Sequence, residues 1–67
     1  MCVSYKKLWI LLAEKGMTKA DLRRAADIAP AILTKLNKNE FVSMIMLAKI
    51  CDALDCDFGD IIEYIKE

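Results

Sequence analysis

Tyr5, Leu8, Trp9 and Leu12 recur at the three- and four-residue spacing of one helix face, with Ile10 and Leu11 falling off it. Ser4 precedes this run as a candidate cap, and Gly16 follows it as a stop. Leu22 and Ala26 share the next face, behind Thr18, a good N-cap answered three residues on by Asp21. Leu33 and Leu36 share a third face, over a helix expected to run from Pro30 to Asn37. Ser43 caps a fourth helix, whose stripe is Leu47, Ile50, Cys51 and Leu54. Asp57, with Asp60 in the first turn, opens a fifth short helix carrying Ile61, Ile62, Tyr64 and Ile65. No strand-type alternation, repeat or linker interrupts the series. The pattern predicts an all-α chain of five short helices, a single domain over residues 1–67.

The stretch from Thr18 to Asn37 organises the rest. Its two helices are separated by Asp27-Ile28-Ala29-Pro30. Proline suits the first position of a helix, where its missing N–H would be unbonded anyway. Ile28 sits in the break and can plug the space between the helices. Two short helices joined by a tight turn form a helix-turn-helix, the unit that presents its second helix to the DNA major groove.

The chain resembles the Cro/repressor-type (XRE-like) helix-turn-helix family of small bacterial transcriptional regulators. Three segments carry the likeness: YKKLWILLAEKGMTKADL, APAILTKLNKNEFVS and LAKICDALDCDFGDIIEYI. The five apolar positions usual in the family's two-helix unit are present as Leu22, Ala26, Ile28, Leu33 and Leu36. Two positions depart from it: Asp27 replaces the turn glycine, and Arg23 replaces a small residue early in the first helix of the pair. Asp tolerates a left-handed backbone better than most residues with a Cβ. The resemblance implies a compact lambda-repressor-like domain and a sequence-specific DNA-binding regulator, a repressor by preference, with helix 30–37 in the major groove of double-stranded DNA. It implies DNA contacts from Thr18, Lys19, Arg23, Pro30, Ala31, Thr34, Lys35, Asn37 and Lys38.

Charge sharpens this picture. The net charge is zero, which by itself argues mildly against nucleic acid. Yet residues 1–38 hold eight Lys/Arg and three acids, net +5, and residues 39–67 hold two Lys and seven acids, net −5. The basic half contains the two-helix unit, as expected of a small DNA binder with an acidic far side. A chance split of solvated charges is the alternative.

Other chemistry finds little to rest on. Histidine is absent, which removes the commonest general base and metal ligand. No glycine-rich phosphate loop and no nucleophile–base pair occurs, so neither an enzyme nor a cofactor or small-molecule substrate is expected. Cys51 and Cys56 are five apart without a second pair or a histidine, so they read as buried small hydrophobes rather than zinc ligands. The acids at 52, 55, 57, 60 and 63 lack the spacing of a calcium loop and read as a solvated face. Three cysteines without a secretory signal suggest a reducing, cytoplasmic setting, and no 18-residue apolar run suggests a membrane span.

The groove helix is a sparse reader. Thr34 and Lys35 can hydrogen-bond base edges, and Ala31 can touch a thymine methyl. No Arg, Asn or Gln stands at its leading positions, and Asn37 is the nearest substitute. Modest discrimination, or help from DNA shape, is expected. A second reading therefore stays open: a protein-interaction or antitoxin-like module on the same fold, with weak or no DNA binding. A 67-residue chain buries only about 60% of its surface. With 57% apolar residues there is more greasy surface than one small core can hide. A homodimer is expected, through Ile62, Tyr64 and Ile65, with Ile10 or Leu11 as contributors.

Overall fold

The computed structural model describes residues 2–66. Its elements run β1 (Cys2–Ser4), α1 (Lys6–Glu14), α2 (Lys19–Ala26), α3 (Pro30–Asn37), α4 (Met44–Leu54), a 3₁₀ turn (Phe58–Asp60) and β2 (Glu63–Ile65). No described helix is long and apolar enough to cross a membrane.

Local signals start and stop most helices. Thr18 Oγ1 accepts from the Asp21 N–H at 3.1 Å, and Asp21 Oδ2 accepts from the Thr18 N–H at 2.9 Å, closing a capping box on α2. Asp27 ends α2 at φ 54°, ψ 52°, the left-handed conformation usually given to glycine. Pro30 is in the first turn of α3, after Ala29 in extended geometry. Ser43 Oγ accepts from the Met46 N–H at 3.3 Å and opens α4. Ser4 plays a smaller part than expected. Its hydroxyl accepts from the Lys6 N–H, but Tyr5 holds the cap position without a side-chain cap bond.

The core gathers Tyr5, Leu8 and Leu12 from α1 and the residue before it, Leu22 and Ala26 from α2, Leu36 from α3, and Leu47, Ile50 and Leu54 from α4. Ile28 plugs the α2–α3 turn at 4% exposure. Leu33, expected in the core beside Leu36, is only half-buried. Trp9 and Cys51 are likewise half-buried at its margin. α4 packs across α2, and the 3₁₀ turn lies against α1 and α4.

The C-terminal segment corrects the sequence reading. The fifth helix is absent: four α-helices are followed by one 3₁₀ turn and a strand. Asp57 and Asp60 do cap the turn, with Asp57 Oδ1 accepting from Phe58 N–H at 2.8 Å and Asp60 Oδ2 from Asp57 N–H at 2.9 Å. Such a cap suits a 3₁₀ turn as well as an α-helix, and here the helix does not propagate. Ile61, Ile62, Tyr64 and Ile65 are β-branched or aromatic, the types that favour extended backbone. On a helix they would spread round several faces. In the observed path Ile61, which ends the 3₁₀ turn, is fully buried, and Tyr64 on β2 is left outside. β2 pairs antiparallel with β1, Cys2 opposite Ile65, Val3 opposite Tyr64 and Ser4 opposite Glu63. Each strand is three residues long, too short for alternation to show in sequence.

Candidate nucleic-acid interface

α2, the Asp27 turn and α3 build a surface on one side of the core. Thr18, Lys19, Pro30, Ala31, Thr34, Lys35, Asn37 and Lys38 are all exposed there, and Arg23 is half-buried. The expected contact residues are thus on two adjoining helices and available to a ligand.

Their hydrogen bonds decide what each can offer. Thr34 Oγ1 donates back to the Pro30 carbonyl at 3.2 Å, so its hydroxyl proton is engaged and the oxygen remains an acceptor. Thr34 therefore suits the amino groups of adenine or cytosine better than guanine O6 or N7. Thr18 is engaged in the cap: its oxygen accepts from the Asp21 N–H, and its hydroxyl faces the Asp21 carboxyl. Arg24 is drawn off the basic set by an Asp21 ion pair at 2.6 Å. The Thr18 backbone N–H, and then its hydroxyl, hold the Asp21 carboxyl below its ordinary range. Lys35 and Lys38 take no acceptor among the described residues, so both ammonium groups remain available to a ligand.

Asn37 behaves differently from its expected role as a base reader. Its Oδ1 accepts from Lys19 Nζ at 2.5 Å. A bidentate adenine contact needs both edges of the amide, one accepting and one donating. With one lone pair of that oxygen already taken by an ammonium, Asn37 is a weaker acceptor toward adenine than a free amide, while its amino group keeps two donors. Lys19 itself spans from the first turn of α2 to the last of α3, with its ammonium 4.2 Å from the Trp9 ring centroid.

Contacts from outside the two-helix unit set its pose. Lys49 Nζ on α4 donates to the Asp27 carbonyl at 3.3 Å and pins the turn. Tyr5 N–H donates to Asn39 Oδ1 at 3.2 Å, and its hydroxyl donates to the Glu40 carbonyl at 2.8 Å. Asn39 is itself left-handed, at φ 56°, where the chain leaves α3. Trp9 is joined to the site over 10 residues, Lys49 over 22 and Tyr5 over 34 and 35, so periodicity alone could not have found them.

The acids at 52, 55, 57, 60 and 63 are exposed on α4 and the C-terminal segment, outside the α2–α3 unit. Cys51 and Cys56 are half-buried. Burial and the neighbouring Cys56 push the Cys51 thiol up to about 11, and burial also raises Cys56, so both stay protonated near neutrality. Among the described residues no group of three or more His, Cys, Asp or Glu is placed to hold a metal ion.

Known proteins agree with this geometry. Residues 7–67 match the family described as the Cro/C1-type HTH DNA-binding domain. The fold superposes on the crystal structure of the transcriptional regulator VanUg, Form II, with a TM-score of 0.94 and 50% sequence identity, covering 98% of this chain and 88% of that one. No curated protein matches the chain. With the turn, the exposed second helix and the match over nearly its whole length in agreement, the chain belongs to the Cro/C1-type helix-turn-helix DNA-binding family.

Proposed function

We propose that this protein is a transcriptional regulator that binds double-stranded DNA by seating α3 in the major groove, acting as a repressor by occupying its site. The observation that carries this is the exposure of Ala31, Thr34 and Lys35 on α3, with Lys19 at one end and Lys38 at the other. Lys35 and Thr34 read base edges, Ala31 meets a thymine methyl, and Thr18, Lys19, Arg23 and Lys38 meet phosphates. The role is non-catalytic, and work on a bacterial chromosome places it in the cytoplasm.

The protein acts as a homodimer in this reading, with two half-sites about 34 Å apart. Tyr64 is 61% exposed on β2, and Ile62 and Ile65 beside it are half-buried. A two-stranded sheet leaves one edge of each strand unbonded, so a second copy can extend it while covering Tyr64. This keeps the residues expected from sequence, with Tyr64 and Ile65 on a strand and Ile62 just before it. Tyr64→Asp converts the dimer to a monomer with its helical signal kept; a wild-type monomer at tens of micromolar, with and without DNA, removes the dimer.

A competing reading is a protein-interaction module, favoured by zero net charge and by Phe41, Met44 and Ile45, which stand 59%, 62% and 68% exposed after α3. Selection from random duplex DNA separates the two. A palindrome enriched at low salt, with affinity falling steeply as salt rises, supports the regulator. No enrichment, with no salt dependence, supports the protein-binding module.

A further inference from the structure

Three helices meet at Lys19. Trp9 comes from α1, Lys19 from the first turn of α2, and Asn37 is the last residue of α3. Lys19 Nζ lies 4.2 Å from the Trp9 ring centroid, within range of the attraction between a cation and an aromatic face. It also donates to Asn37 Oδ1 at 2.5 Å.

The chemistry of these groups restricts what the junction can bind. An ammonium only donates, so the amide edge facing it must be the carbonyl oxygen. The Asn37 amino group, with two donors, is then directed away from Lys19. The ammonium has three N–H groups, of which one is spent on Asn37 and one side is covered by the Trp9 ring. The ammonium takes one of the two lone pairs of the Asn37 oxygen, so what the exposed Lys19–Asn37 pair shows to solvent is mainly donors and one positive charge. That suits an anionic oxygen better than a base edge.

Resting on the DNA-binding reading above, we infer that Trp9 is a positioning residue for DNA: it holds the Lys19 ammonium against Asn37, so that the two side chains form one donor-rich cradle for a single backbone phosphate. An unheld lysine at this point would sample many rotamers and lose that freedom on binding. Trp9 removes the freedom beforehand, since its ring stands 4.2 Å from the Lys19 ammonium in the protein alone. The cradle also fixes the register of α3, because Asn37 belongs to the helix that enters the groove. Neither Trp9 nor Asn37 then contributes to base choice.

The test measures binding of full-length protein to one fixed duplex across a salt series. The proteins are wild type, Trp9→Leu, Trp9→Phe, Lys19→Met, the Trp9→Leu/Lys19→Met double variant and Asn37→Asp. Circular dichroism confirms that each is folded. Trp9→Leu should weaken binding about twofold to fivefold with its salt slope unchanged, since the charge on Lys19 remains. Trp9→Phe, which keeps an aromatic face, should recover most of the loss. Lys19→Met should lower the slope by about one, and Trp9→Leu should have no further effect in that background. Asn37→Asp still accepts from Lys19 but sets a carboxylate where the amide donates, and should weaken binding by about tenfold or more. Asn37 is exposed, so this variant carries the test even if Trp9→Leu fails to fold. Wild-type affinity in Asn37→Asp, or an equal Trp9→Leu loss with and without Lys19, overturns the cradle while leaving DNA binding intact. Failure of the wild type to bind any duplex at low salt overturns the DNA-binding reading, and the cradle falls with it.

Discussion

Tyr5→Phe isolates the bond that joins the front of the domain to the end of α3. Tyr5 is fully buried, and its hydroxyl donates to the Glu40 carbonyl at 2.8 Å. The substitution keeps the ring and removes one hydrogen bond. Glu40 is exposed, so water can reach its carbonyl and the loss stays near that of an ordinary bond, about 0.5–1.5 kcal/mol. In a domain of this size, 1 kcal/mol lowers the melting temperature by roughly 4–8 °C. Alkaline pH gives a second handle. Burial raises the Tyr5 hydroxyl above its usual 10.0, with a Val42 backbone N–H offsetting part of the effect. The unfolded chain therefore loses this proton first. The stability it contributes is complete below about pH 10 and is lost as pH climbs through the higher folded value. Cys51, raised to about 11, adds to the same alkaline loss, so the comparison must be between variant and wild type. Thermal unfolding followed by circular dichroism should show Tyr5→Phe less stable at pH 7, with the gap narrowing above pH 10. A melting temperature within a degree of wild type at pH 7, or a gap independent of pH, refutes the assignment.

Leu22→Ala and Leu36→Ala should each cost about 2–5 kcal/mol, as both side chains are fully buried, and denaturant titration should show either one close to unfolded; Leu33→Ala should cost less than both, because Leu33 is half-exposed. Asp27→Gly should stabilise the domain by up to about 1 kcal/mol, since glycine adopts φ 54° freely, and it should tighten DNA binding by removing a negative charge from the basic half; a lower melting temperature would show that the Asp side chain supports the turn. Lys35→Ala should reduce the preference for the best site over mismatched sites by about 1–3 kcal/mol in competition binding, whereas an equal loss on every sequence would make Lys35 a phosphate contact.

How far the fold was legible in sequence depended on distance along the chain. The Thr18–Asp21 box, Pro30 opening α3, Ser43 opening α4 and the left-handed Asp27 all act within four residues of themselves, and each is where its local chemistry requires. The core stripes follow from the helical period, apart from Leu33, whose exposure depends on how far α3 rolls toward α4. The C-terminus failed for a related reason. The Asp57 cap was visible, but whether a helix propagates from it was decided by a partner strand at the opposite end of the chain. The site divides in the same way. Exposure of Lys35 and Lys38 follows from the motif. The Lys19–Asn37 bond takes up one acceptor position of Asn37, and no spacing rule links those two positions.

The pairing of Cys2 with Ile65 turns a linear chain into a clasped ring. Nearly every residue lies inside the loop that this pairing closes, so the entropy of closure is largely met by the time the four helices have packed. The clasp is three residue pairs long, and Val3 within it and Ile61 just before β2 are both in the core. Local opening there should need less free energy than global unfolding, and would wet the base of the core while the α2–α3 unit stayed formed. Whatever tightens the clasp, a second copy laid along its free edge included, would raise the free energy of that local opening and keep the base of the core dry.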